Sequence, residues 1–185
     1  MGWLDTLLGR SKPAPPNLDA LFALPSAAVT LQAATGLVPT GLGSVSFRAA
    51  EGGAFATLES DVQALLGDRV DKSSDSYGYT WLLVRRSPDD VSDLVTELHA
   101  VNASLEGAGF GPSLLCSLVS FADPNGRRLA IVYLYKRGTF YPFAPLSGQH
   151  RDNALELQAR GALEGELPLE QDLGRWFPVW GAPGL

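Results

Sequence analysis

Cysteine is nearly absent from this chain: Cys116 stands alone among 185 residues. One thiol cannot form an internal disulfide, so no such staple holds the fold and a reducing compartment is expected. Positive charge is also scarce, with 14 Lys and Arg against 20 Asp and Glu and a formal net charge of −6. That balance argues against a nucleic-acid binder, which concentrates positive charge against phosphate. No apolar run approaches the roughly 20 residues of a membrane-spanning helix, and no secretory signal pattern opens the chain. A cytoplasmic location is therefore expected. Also missing are the CxxC, HExxH and GxSxG spacings, a P-loop and a dinucleotide fingerprint. The two histidines, His99 and His150, have no ligand spacing to a cysteine or an acid. No catalytic residue, metal or cofactor is assigned on this basis.

What is present is the composition of a globular domain, with 45% hydrophobic and 18% charged residues in a chain of single-domain length. Residues 1–16 form an appendage. Trp3, Leu4, Leu7 and Leu8 share a helical face, and Ser11 to Pro16 is a proline-rich spacer that cannot continue a helix. Residues 17–185 read as one α+β domain.

Within it, Asn17 is expected to cap a short helix over 18–24, and Ser26 a second over 27–35 that stops at Gly36. Residues 37–43 read as loop, 44–50 as a short strand and 54–66 as an amphipathic helix with Phe55, Leu58, Val62, Leu65 and Leu66 on one face. A polar loop follows over 67–75, then a strand from Tyr77 to Val84 that is apolar on both faces. The spacing of Val91, Leu94, Val95, Leu98, Val101 and Leu105 predicts a helix over 88–106, with Ser87 as its cap and Pro88 at its first position. LLCSLVSFA and RRLAIVYLYK flank Asp123-Pro124-Asn125-Gly126, which predicts a hairpin over about 113–136. This hairpin is expected to centre an antiparallel sheet packed against helices. Both of its strands are apolar on both faces, so helices, the following loop or a partner chain must cover the second face.

The stretch 137–150 reads as an aromatic, proline-punctuated loop. Lys136 and Arg137 precede Phe140, Tyr141 and Phe143, a set of rings costly to leave in water, and this points to a partner-binding rim. The tail adds Trp176 and Trp180. Two tryptophans in a terminus imply docking, on the chain's own core or on a partner. Asn102, inside the stripe of the 88–106 helix, needs hydrogen-bond partners if buried. His99 flanks that stripe. With the Tyr77–Trp81 strand, these two residues define an alternative: a small-molecule-binding or enzymatic pocket.

The blocks MGWLDTLLGRSKP, NLDALFALPSAAVTLQAATG, DSYGYTWLLV, LHAVNASLEGAGFGPSLLCSLVSF, YLYKRGTFYPFAP and RWFPVWGAPGL resemble the bacterial PspA-associated proteins, encoded beside phage-shock protein A. The resemblance implies a non-enzymatic accessory or adaptor protein of a phage-shock-type envelope-stress response. Its implied partner is the coiled-coil phage-shock protein, and its implied place is the cytoplasm, reaching the inner face of the membrane through that partner. The order of elements is also similar to secretion-chaperone-like α+β domains, which often form homodimers, although fold alone does not assign function. A second alternative is a peripheral membrane protein using Trp3, Leu4, Leu7 and Leu8.

Overall fold

The computed structural model describes residues 16–185. The appendage, apart from Pro16, lies outside the described residues. Asn17 caps a 3-10 turn, Leu18–Ala23, by accepting the Asp19 N–H at 3.2 Å. The turn runs without a break into helix α1, Leu24–Thr35, whose first turn holds Pro25. Ser26 is thus inside the helix and not its cap. α1 ends where expected, on Gly36 at φ +79°.

The loop expected over 37–43 is instead the first half of strand β1, Val38–Arg48. Its proline and glycines are accommodated by a register shift between Pro39 and Gly43 against the neighbouring strand. A Cβ at Gly43 would sit 2.9 Å from both the Leu98 side chain and the Leu118 carbonyl. This residue therefore marks a close approach of helix to sheet, not a break. Helix α2, Gly53–Leu66, follows. The polar loop expected next is strand β2, Val70–Ser74, with only Val70 buried. An edge strand needs little apolar patterning, which is why it reads as loop.

Strand β3 is Tyr79–Arg85 and helix α3 is Val91–Gly107. Ser87 begins a turn, its carbonyl accepting the Asp90 N–H at 2.9 Å. The helix therefore starts after Asp90, three residues beyond the expected cap. Strands β4, Leu114–Ala122, and β5, Arg128–Leu134, form the expected hairpin. Asp123 Oδ1 tightens its turn by accepting the N–H groups of Asn125 and Arg127. The stretch expected as an aromatic loop forms strand β6, Thr139–Phe143, and a two-rung ladder of β7, Pro145–Leu146, with β8, His150–Arg151. Helix α4, Asn153–Leu163, follows, and a 3-10 turn, Leu173–Arg175, lies beyond it in the tail.

The fold is α+β. Six antiparallel strands lie in the order β2-β3-β1-β4-β5-β6, so β1 and β4 are the central pair and the hairpin contributes one of them. Among the described residues, the four α-helices belong to one face, where Leu24, Leu31, Leu94, Leu98, Val101 and Leu163 meet Val45, Phe47, Val119, Phe121, Ile131 and Tyr133. Each such side chain contributes roughly 1.5–3 kcal/mol on burial. Leu18–Thr35 is long and apolar enough by composition to cross a membrane. Here Leu21, Leu24 and Leu31 are fully buried in this core, and packing accounts for that composition.

Among the described residues, no helix lies on the second face. The C-terminal segment covers it, bringing Trp176 and Ala182 onto Trp81, Cys116, Leu118, Val132, Tyr141 and Phe143. Residues 168–170 shield the β6 edge. The Phe140 N–H donates to the Pro168 carbonyl at 2.9 Å, and the Glu170 N–H donates to the Phe140 carbonyl at 2.7 Å.

Candidate functional groove

On the second face the tail does not close completely over the sheet. A cavity of about 880 Å³ remains between residues 177–183 and the β2–β3 end of the sheet. Its apolar wall includes Trp81, Leu115, Cys116, Leu134 and Trp180. Ser73, Ser74, Asp75 and Ser76 supply a polar side, from the end of β2 and the turn after it. Two rings stand at the mouth with little cover: Tyr77 is 77% exposed and Phe177 57%.

Asp75 organises the β2–β3 end. Its Oδ1 accepts the Tyr77 and Tyr79 N–H groups at 2.9 Å each, and its Oδ2 accepts the Trp81 indole N–H at 3.0 Å. Burial works to raise its pKa, but these hydrogen bonds outweigh burial and hold the carboxyl below its ordinary range. The carboxylate thus stays charged at the groove, and Trp81 is locked in place. Beside it the Arg48 guanidinium lies 4.8 Å from the centre of the Tyr79 ring.

Tyr141 anchors the opposite wall. Its hydroxyl donates to the Phe177 carbonyl at 2.6 Å, and its ring stacks on Trp176 at 6.2 Å. Trp176 donates its indole N–H to the Glu170 carbonyl at 3.0 Å. Trp180 meets Phe143 edge-on at 4.9 Å. Arg151 ties this corner together by donating to the Trp176 carbonyl at 2.6 Å while lying over the Phe143 ring. Burial pushes the Cys116 thiol up to about 12, so it stays protonated and unreactive at neutral pH.

The aromatic partner-binding rim is corrected by this geometry. Phe140, Tyr141 and Phe143 are interior residues, each no more than 1% exposed. They also do not share one surface. Consecutive strand residues point to opposite faces, so Phe140 packs on Tyr133 under the helices while Tyr141 and Phe143 lie under the tail. Trp176 is buried beside Tyr141, and Trp180 is half-buried on the groove wall. Arg137 pairs with Glu170 at 3.1 Å, whereas Lys136 is exposed. Of the seven expected residues, Tyr141 and Trp180 line the groove.

The pocket expected near Asn102 and His99 is split between the two faces. Tyr77, Tyr79 and Trp81 do line a cavity, but Asn102 and His99 belong to α3 across the sheet. The Asn102 amide donates to the Leu98 carbonyl and to Ser117 Oγ, both at 2.8 Å, and so ties α3 to β4. His99 lies 3.1 Å from Asp19 with its ring on Phe22. Among the described residues no group of three metal-ligating side chains converges. The contribution of Ser73–Ser76 was hidden in apparently polar loop. Its one sequence signal was Asp75 three residues before Gly78, a turn-forming spacing.

A family model described as PspA associated protein B matches residues 1–184. No curated protein and no solved structure matches the chain.

Proposed function

The chain belongs to the PspA associated protein B family, and from that premise we propose that it is a non-enzymatic accessory protein that binds a helical segment of a coiled-coil phage-shock protein at this groove. The observation that carries the reading is the pair of exposed rings, Tyr77 and Phe177, at the mouth of an apolar groove. Aromatic side chains at the edge of a concave apolar surface are the groups that dominate binding energy at protein interfaces. An amphipathic helix laid in a groove buries its apolar face by the same physics as a core helix.

The non-enzymatic part of the proposal is supported by what the reactive groups are already doing. Cys116 is buried and protonated, Asn102 spends its donors on the core, and His99 contacts Asp19 and Phe22. The proposed setting is the cytoplasm, at the inner membrane face through the partner, in an envelope-stress response. A homodimer through the β2 edge is disfavoured by exposed Asp71 and Lys72 on that strand.

The test is calorimetric titration of the full chain with purified phage-shock protein A. Binding that weakens about tenfold, the equivalent of roughly 1.4 kcal/mol, on Tyr77→Ala or Phe177→Ala supports the groove. Both side chains are exposed, so melting temperatures should hold. No binding, or binding that neither substitution changes, overturns the reading.

A further inference from the structure

We infer that the groove reads one positive charge on its helical partner: an arginine of that helix, seated on Asp75 and the rings that hold it. This deepens the partner reading and rests on it for the occupant, while the arginine site can be tested alone.

The first argument is charge. Asp75 is the one charged side chain in the lining, and it is half-buried. Its carboxylate accepts from the Tyr77 and Tyr79 N–H groups on Oδ1 and from the Trp81 indole on Oδ2. A carboxylate has about four acceptor positions, so one stays open on Oδ2. Among the described residues no cation pairs with it: Arg85 pairs with Asp71 and Lys72 with Glu59, both at 2.6 Å. A helix laid over the groove strips water from this anion, and burying a charge is costly unless a counter-charge comes with it.

Rings supply the second argument. All three residues that bond the carboxylate are aromatic, and Phe177 and Trp180 line the same cavity. The face of such a ring attracts a cation within about 6 Å, more strongly once water is excluded. Rings at this face already hold guanidinium groups, Arg48 at 4.8 Å from the centre of Tyr79 and Arg151 at 5.0 Å from that of Phe143. A guanidinium suits the groove better than an ammonium, because its plane can rest on a ring while an edge N–H donates to Oδ2.

The third argument is Gln149, which lines the cavity from the turn between β7 and β8. At φ +57° it is the one non-glycine residue in the left-handed region among the described residues. Glycine would hold this conformation with less strain, so the turn carries the side chain against local preference. Its amide oxygen, with the hydroxyls of Ser73, Ser74 and Ser76 in the same lining, can accept the remaining guanidinium N–H groups.

The probe is N-acetylarginine amide, compared with its neutral isostere N-acetylcitrulline amide, titrated into the full chain and followed by nuclear magnetic resonance. The Trp81 indole N–H, bonded to Asp75 Oδ2 at 3.0 Å, is the reporter. The arginine amide should shift this signal saturably, and the citrulline amide should act several-fold more weakly. Asp75→Asn should abolish the difference between the probes. Gln149→Gly should weaken the arginine response several-fold while the melting temperature holds or rises, which separates a binding role from a structural one. Equal responses to the two probes, no response, or responses that neither substitution changes overturn the inference. Several-fold tighter binding of choline than of the arginine amide also overturns it, since the occupant would then be a free small cation. No arm contains the partner, so failure here leaves binding through Tyr77 and Phe177 standing, and the calorimetric titration decides that reading separately.

Discussion

The Tyr141 hydroxyl donates to the Phe177 carbonyl at 2.6 Å, joining the edge strand β6 to a tail 36 residues further along the chain. Through this bond the covering of the second face and the mouth of the groove share one anchor. Tyr141→Phe keeps the ring against Trp176 and removes only the donor. Stability should fall by about 1 kcal/mol, read as a lower urea midpoint, with faster proteolysis after residue 175 as the local sign.

Phe140 tests the assignment of the β6 rings to the core. Truncating a fully buried phenylalanine costs about 3–5 kcal/mol, through lost transfer energy and the cavity left behind. Phe140→Ala should lower the denaturant midpoint by that amount, whereas Tyr77→Ala should leave it nearly unchanged. Equal, small effects would mean that β6 is not held as described.

The acid limb of stability should depend on Asp75. Its hydrogen bonds to Trp81, Tyr79 and Tyr77 hold its folded pKa below the ordinary carboxylate value of about 3.9. The unfolded chain therefore binds more protons in that range. The contribution of Asp75 is fully present above about pH 4 and is lost as pH falls through the lowered folded value. Melting temperatures measured between neutral pH and pH 3 should decline less steeply in Asp75→Asn than in the native chain.

Cys116 offers a check on the tail. With its thiol buried and pushed up to about 12, it should resist thiol reagents at neutral pH and react on unfolding. Trp176→Ala, which opens the cover over the same face, should raise the labelling rate before global unfolding. Rapid labelling of the native chain would contradict the packing of the second face.

Asn102 should be worth its two hydrogen bonds. Asn102→Ala leaves Ser117 Oγ without its α3 donor inside the core, at a cost of about 1–3 kcal/mol. Chemical denaturation measures it, and partner binding at the far face should be unchanged in the same variant.

Much of this architecture was legible in the residues. The period of Leu94, Leu98, Val101 and Leu105 placed α3, and Asp123 to Gly126 placed the hairpin. The doubly apolar strands required a sheet covered on both sides. Errors fell where local chemistry misleads. Pro39, Gly41 and Gly43 look like loop until a bulge and a close-packed helix explain them. Val70–Ser74 is too polar to read as strand because only one of its residues is buried.

The groove was the least legible part. Tyr77, Tyr79, Trp81, Tyr141 and Trp180 were all singled out, but distributed between the wrong sites. Once Thr139–Phe143 is a strand, alternation sends Phe140 and Tyr141 to opposite faces; read as a loop, the same residues suggest one shared rim. Composition, periodicity and turn chemistry act within about a turn or a hairpin, and at that range the sequence by itself determined the fold class, the helices and the central hairpin. Which element covers the second face depends on contacts such as Tyr141 with Phe177, whose partners are remote in sequence and leave no local pattern. Only the tertiary structure could decide that the tail closes this face and leaves a groove beside Asp75.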